Sequence, residues 1–340
     1  MKKHINIPIF IPHLGCPNQC VFCNQRHISG VTQFDPESVI PIIEEAISSS
    51  PFATERELAF FGGSFTGIDR NLMIDLLKIG NSYLKQGRIA SIRCSTRPDY
   101  IDKDILNILK QYGVGTVELG LQSANDSVLQ KAKRGHGRDA ELRAAELICQ
   151  SGIKLGGQMM IGLPGSTREA EIATAEFIAA IGCAEARIYP TVVFRDTELC
   201  DLTVCGDYKP LTVDEAVSRS ADAFAVLMKA GVKVLRVGLC DSENLHSDTT
   251  YFAGPNHPAM GELVENEYYC RLLRDRIAEH NVSGKRITVF CAPGHVSKIV
   301  GQNKRNKDII LREYGAWGMT VKESQQVPPY SVLLNLEERV

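Results

Sequence analysis

The chain has 340 residues, 44% hydrophobic and 23% charged, with a formal net charge of −2 and 11 cysteines. This composition is ordinary for a globular protein and excludes a global basic field, so any nucleic-acid contact has to come from a local patch. The opening apolar run INIPIFIP is too short for a signal-peptide core, and no run approaches the roughly 18 apolar residues of a membrane span.

The cysteines are odd in number and scattered, which argues for reduced thiols in the cytoplasm rather than a disulfide framework. The length suits two domains, or one barrel with an extension.

Along the chain, short β-branched or aromatic runs alternate with amphipathic segments. Strands are expected at 5–12, 57–62, 89–95, 115–121, 154–161 and 185–193, and helices near 36–49, 69–86, 102–112, 138–151 and 167–181. Ile101, Ile105, Ile108 and Leu109 fall at helical spacing, and Asp35 and Asp102 stand where N-caps belong. Repeated strand–helix alternation implies a parallel sheet, open or closed as a barrel, with its chemistry at the C-terminal strand ends.

The loop after the first strand reads HLGCPNQCVFC, with Cys16, Cys20 and Cys23 at C-x3-C-x2-C spacing and Phe22 before the last. Three thiolates on one loop can hold three irons of a [4Fe–4S] cluster and leave the fourth open to a small molecule. A ferredoxin closes its cluster with four cysteines. A structural zinc site also takes four protein ligands, and a cysteine pair completed by His13 or His27 is the competing reading.

The remaining motifs follow the later strands in order. FFGGSFTG follows the second, STRPDYI the third, ELGLQSANDSVLQKAKRGHG the fourth and QMMIGLPGST the fifth, while RIYPTVVFRDTEL covers the sixth. Gly-Gly alone is compatible with a simple tight turn.

Taken together these segments resemble the radical S-adenosylmethionine (SAM) superfamily. They are similar to the radical SAM domain of the Elongator catalytic subunit, and more distantly to oxygen-independent coproporphyrinogen oxidase. FFGGSF, TRPDY, ELGLQS, KRGHG, MMIGLPG, IYPTVVFRDTEL and GDYKP carry the Elongator likeness, over about residues 5–235.

The resemblance implies an α/β fold, a partial (β/α)6 TIM-type barrel, with the cluster on Cys16, Cys20 and Cys23. Phe10 would lie beside the SAM methionine, and Gly62, Gly63 and Ser64 would hold its amino end. Gln122 and Arg134 would bond the ribose and carboxylate, and Gln158 would approach the ribose. Lys131, Lys133, His136 and Arg138 around Arg134 also fit a solvated basic face.

Two departures bear on what carries over. The first two cluster cysteines stand closer together than in Elongator, and Ser95 replaces its ribose-contacting Glu. About 105 residues follow residue 235, with no acetyltransferase domain among them and no long N-terminal RNA-binding region, so the acetyl-CoA-dependent reaction is not expected whole.

Residues 236–340 read as a second, small α+β domain. A helix at 258–280 carries Leu263, Leu272, Leu273 and Ile277 on an apolar face. RITVFCA is a strand, HVSKIVGQNKRNKDIILREYG two short helices, and WGMTVKES and SVLLNLEE two more strands. This β-α-α-β order resembles the RNA-binding KH core, which clamps nucleic acid with a G-x-x-G loop. Gly301 is present, but Lys304 replaces the second glycine.

Lys298, Lys304, Arg305, Lys307 and Arg312 could neutralise phosphates, or form a solvated helix face. FAGPNHPAMGELVE suits a loop over the barrel mouth, where His257 and Glu262 face the site or cap the structure. Cys94, Cys240, Cys270 and Cys291 read as buried free thiols.

The expectation is a cytoplasmic enzyme that cleaves SAM reductively to a 5′-deoxyadenosyl radical and modifies RNA, with tRNA foremost. It would need an electron donor such as ferredoxin or flavodoxin, and no membrane partner. The alternatives are a radical SAM enzyme for a small metabolite such as a tetrapyrrole, and a non-catalytic iron–sulfur RNA-binding protein.

Overall fold

The computed structural model describes residues 4–17, 20–25, 31, 33–239, 245 and 247–338. The expected residues His27 and Cys240 lie outside this set. Seven parallel strands run in chain order: β1 (His4–Ile11), β2 (Glu55–Gly62), β3 (Ser91–Thr96), β4 (Val114–Gln122), β5 (Lys154–Ile161), β6 (Glu185–Pro190) and β8 (Lys233–Val237). Each pairs with the next in parallel register, and the sheet curls into a half-barrel.

The crossovers are α1 (Val39–Ser49), α2 (Arg70–Lys85), α3 (Lys103–Gln111), α5 (Arg138–Ser151), α6 (Arg168–Ala180) and α8 (Val213–Lys229). Asp35 accepts from Glu37 N to open a turn at Pro36–Ser38 ahead of α1, and Asp102 caps α3 through Ile105 N at 2.7 Å. These oxygens satisfy N–H groups that a helix start leaves without partners.

The apolar core lies on the outer face of the sheet. Ile7, Ile9 and Ile11 alternate along β1 and pack, with Leu58, Phe60, Ile92 and Leu119, against helix residues such as Val39, Ile43, Leu76 and Ile148. The inner face is polar. Glu57, Arg93, Glu118, Gln158, Glu185 and Arg187 sit at alternate strand positions, as the period of two requires.

Three features differ from the sequence reading. The sheet has a seventh strand, β8, so the barrel extends past residue 235. The expected strand 185–193 ends at Pro190, and Val193–Phe194 forms a separate β7 antiparallel to β9 (Tyr251–Ala253). Two short helices, α4 (Asp126–Lys131) and α7 (Glu198–Cys205), stand where no element was read.

The C-terminal region begins on α9 (Met260–Ala278) and continues through β10 (Arg286–Cys291), α10 (Val296–Val300), α11 (Arg305–Tyr314), β11 (Gly318–Glu323) and β12 (Leu333–Glu337). The expected β-α-α-β order is present. Central β10 pairs parallel with β11 and antiparallel with β12. One helix serves two cores: Met260 and Val264 of α9 join the barrel core, while Tyr269, Leu273 and Ile277 join the core of the small sheet.

A buried acid stands out at the start of α5. Glu141 is 0% exposed, and neither carboxyl oxygen has a hydrogen-bond partner among the described residues. His136 Nδ1 lies 3.7 Å away, too far for a hydrogen bond. Burial pushes the Glu141 carboxyl up to about 9, and burial with the Arg134 charge pushes His136 down to about 4. The pair is therefore neutral rather than ionic.

The folded-state value lies above the unfolded one, so this stability is fully present below about pH 4.5 and is lost as pH rises towards 9. Glu141→Gln removes that titration. Thermal melts from pH 5 to 9 should show a flatter profile for the variant and a gain on the order of a few kcal/mol at pH 8. Parallel profiles would show that Glu141 is ionised in the fold.

Candidate functional site

The site is built on the C-terminal ends of the strands, where two loops touch backbone to backbone. Ser64 N donates to Leu14 O at 3.0 Å, and Gly63 N to Ile11 O at 2.9 Å. A Cβ on Gly15 would stand 2.2 Å from Ser64 O, and one on Gly63 2.0 Å from Leu14 O. Gly62 has φ 112°, and its Cβ would meet Ile11. The two glycines of FFGGSFTG thus make room for the cysteine loop.

Cys20 is buried, and Cys16 and Cys23 are partly exposed. Val21 N donates to Ala132 O at 3.3 Å, which ties the loop to the KRGHG segment. Arg134 Nη1 donates to Cys20 Sγ at 3.2 Å, and Nη2 to Gly120 O at 2.6 Å. Burial, then the neighbouring Cys20 and Cys16 sulfurs, push the Cys23 thiol up to about 12. Burial, then Cys20, also raises Cys16. These thiols become thiolates only when a strong cation replaces their protons, as metal coordination does.

Among the described residues no three His, Cys, Asp or Glu side chains converge as ligands of a single ion would. A [4Fe–4S] cluster asks for one sulfur per iron. His13 Nε2 accepts from Gln25 N at 3.0 Å, so a zinc reading with His13 would have to use Nδ1. The donors around the loop suit an anionic group. Arg97 Nη1 and Arg134 Nε are buried with no partner among the described residues. Three thiolates and a carboxylate would satisfy such groups.

Ser64 is fully buried and hydrogen-bonded inside the protein. Its Oγ lies 2.8 Å from Thr96 Oγ1 and accepts from Arg97 N at 3.1 Å, and Thr66 Oγ1 lies 2.6 Å from Thr96 Oγ1. This hydroxyl chain staples the turn after β2 to the end of β3.

Gln122, which ends β4, has φ 71° and a buried Oε1 with no partner among the described residues. A left-handed residue without a glycine's freedom marks a constrained position. Phe10 on β1 stands beside Phe61, with ring centroids 6.3 Å apart.

Below these residues lies a charged network that the sequence reading missed. Arg93 donates to Glu57 and Glu118 at 2.5 Å each and lies 2.8 Å from Glu185. Arg187 Nε and Nη2 both bond Glu118, at 2.7 and 3.0 Å. Burial alone would raise the Glu118 carboxyl, but Arg187 and Arg93 outweigh it and hold the group low.

Gln158 Nε2 donates to Glu118 Oε2 at 2.8 Å and Ser95 Oγ at 3.1 Å. The acceptor-only carboxylate fixes the orientation of the amide. The signal for this network was in the sequence: polar residues at every second position of otherwise apolar strands.

The C-terminal residues divide. Lys298 bonds Glu265 at 2.8 Å and lies 5.5 Å from the Tyr330 ring centroid, so it is held within the fold. Gly301 packs against Asn306, where a Cβ would come within 2.9 Å. Asn303 and Lys304 take positive φ, Lys304 and Arg305 are exposed, Lys307 is half-buried and Arg312 is exposed.

His257 Nδ1 accepts from Ala259 N at 3.1 Å, a turn-capping role. Glu262, in the first turn of α9, is exposed. Cys94, Cys270 and Cys291 are buried thiols. No helix among the described residues is long and apolar enough to cross a membrane.

Comparison with known proteins bears on this arrangement. Residues 10–178 match the radical SAM superfamily, and residues 183–269 match the Radical_SAM C-terminal domain. A putative methylthiotransferase of Methanocaldococcus jannaschii is 26% identical over 74% of this chain and 59% of its own. The tRNA uridine(34) acetyltransferase of the same organism is 29% identical over 66% of this chain and 41% of its own.

Among solved structures, archaeal Methanocaldococcus infernus Elp3 with an N-terminal deletion superposes with a TM-score of 0.63 at 22% identity. That match covers 82% of this chain and 64% of that one, and it speaks for the fold. The chain thus spans less than two thirds of each of these proteins. The family matches run almost without a break from residue 10 to residue 269, so the chain belongs to the radical SAM superfamily, enzymes that work with a [4Fe–4S] cluster and S-adenosylmethionine.

Proposed function

We propose that this enzyme modifies RNA, with tRNA as the substrate class, and that Cys16, Cys20 and Cys23 hold its cluster. The observation that carries the site is the three-cysteine loop locked onto the Gly62–Gly63 turn and bonded by Arg134, with buried N–H groups of Arg97 and Arg134 left unpartnered among the described residues. Bound together, cluster and SAM supply reductive cleavage to methionine and a 5′-deoxyadenosyl radical, hard chemistry that belongs to the cofactors.

The chain's own residues bind and orient. Arg134, already on Cys20 Sγ, has Nε left for the SAM carboxylate. Gln122 offers a buried acceptor at the end of β4. Gln158 has its amide nitrogen engaged by Glu118 and Ser95, which leaves its oxygen to accept from a ribose hydroxyl. Gly62, Gly63 and Ser64 hold the loop that presents the SAM amino end. Phe10 packs against the methionine and excludes water.

The relatives support the RNA reading, one of them being named for tRNA uridine(34). Another is named a methylthiotransferase, so the transferred group is left open. A groove of about 1010 Å³ beside Pro17, lined by Lys133, His136, Arg138 and Arg143 among others, reaches the cysteine loop from outside the half-barrel. A donor of the ferredoxin or flavodoxin class can approach there. We place the enzyme in the cytoplasm, where its thiols stay reduced.

The chain divides in this reading into a catalytic half-barrel and a C-terminal unit that contacts RNA through Gly301, Lys304, Arg305 and Lys307. Lys298 contributes through its bond to Glu265 rather than through phosphate.

Anaerobically reconstituted protein with SAM and dithionite should form 5′-deoxyadenosine, and total cellular RNA should increase the yield several-fold. Replacing any one of the three cysteines with Ala should abolish it. Product indifferent to RNA would move the substrate to small metabolites. RNA bound without product would favour a non-catalytic protein.

The basic turn gives a second prediction. Lys304→Ala with Arg305→Ala should weaken RNA binding at low salt and lower the slope of log K against log salt by roughly 1 per side chain removed. Affinity unchanged across the salt series would take the RNA contact away from this turn.

A further inference from the structure

Arg97 follows β3 in the TRPDY segment and is only 3% exposed. Its guanidinium is unevenly satisfied. Nε and Nη2 bond Asp99 at 2.9 and 2.8 Å, and Nη2 also donates to Arg134 O at 2.6 Å. Nη1 is buried with no acceptor among the described residues. A buried N–H of a permanent cation left unsatisfied is costly, so such a group points to an anion that completes it.

The cysteine loop is the neighbour that fits. Arg97 holds the backbone carbonyl of Arg134, whose Nη1 bonds Cys20 Sγ, and its ion-pair partner Asp99 lines one groove with Pro17, the residue after Cys16. The residue also braces the site mechanically, since its backbone N–H donates to Ser64 Oγ.

We propose that Arg97 is a positioning residue of the cluster site: it fixes the Arg134 segment over the cysteine loop and keeps a buried, unpartnered N–H beside that loop, so that its charge sets the reduction potential of the cluster. The proposal rests on the reading that these cysteines hold the cluster. A one-electron reduction adds negative charge, and a fixed cation or a hydrogen bond to sulfur stabilises the reduced form and raises the potential. Asp99 opposes it, being the counter-charge on the same guanidinium. The two side chains should therefore act with opposite signs, which loosened packing would not produce.

The test is a potentiometric EPR titration with dithionite on full-length reconstituted protein, with iron per chain measured on each sample. Arg97→Gln should move the midpoint to more negative values, Arg97→Lys should recover part of the shift, and Asp99→Asn should move it to more positive values, all at wild-type iron content.

Coincident midpoints, or shifts of the same sign for Arg97→Gln and Asp99→Asn, overturn the proposal. Should Arg97→Gln lose its iron, Asp99→Asn decides alone, because Asp99 is partly exposed and its amide is nearly isosteric; no positive shift there sinks the idea. Wild-type protein that takes up no iron, or takes it up equally without the three cysteines, overturns the cluster assignment and this proposal with it.

Discussion

A buried charge network across five strands is the constraint on which the half-barrel depends. Glu57, Arg93, Glu118, Gln158, Glu185 and Arg187 come from β2 to β6 and meet inside the curl of the sheet. Removing charges from water costs several kcal/mol per ion unless each is paired and hydrogen-bonded, and breaking such a pair costs roughly 3–5 kcal/mol. A flat sheet would not bring Arg93 of β3 within bonding distance of carboxylates on β2, β4 and β6 together. The network selects a curled sheet, while the apolar helices outside supply the bulk of the burial.

Fixing the curl fixes the strand ends, and the site is assembled there by backbone contacts. The loop after β1 and the turn after β2 approach too closely for side chains at Gly15 and Gly63. The Ser64–Thr96–Thr66 hydroxyl chain ties that turn to β3, and Arg97 carries the connection on to the segment after β4. Each tie joins sequence-neighbouring units of the barrel. Binding groups drawn from four strand ends are thereby held without flexible reach, which is what a site needs if reactive chemistry is to be confined.

The cysteine loop and the motifs at strand ends were legible because each needs particular residue types at fixed spacing. Gly62 and Gly63 were legible as special, and the fold adds a reason: they admit the protein's own backbone. Arg93, Glu118 and Arg187 were not read as a network, because a polar residue at every second strand position looks the same in sequence whether it faces water or a buried partner. Strand β8 was lost because a division at residue 235 cuts through VKVLRV, whose β-branched residues otherwise announce it. Helices α4 and α7 are too short for a 3.6-residue period to show. Lys298 looked like its basic neighbours, and only the fold reveals Glu265 beside it.

The limits of the family likeness follow from which parts are shared. The residues proposed to position a cluster and SAM, from Phe10 to Gln158, lie within residues 10–178, where the superfamily match falls. What distinguishes an acetyl transfer from a methylthio transfer is a second reactant, and its binding groups need not lie in that stretch. The small sheet beyond α9 is joined to the barrel by α9, which feeds both cores, and by Tyr330, which packs on both, so a substrate held there would be held rigidly relative to the strand ends. Its exposed cations cluster where α10 hands over to α11, through two residues in left-handed conformation that a simple helix connection would not require. Asn303 adopts that region readily, whereas for Lys304 it carries a cost, and this exposed turn is where the proposed RNA contact would act.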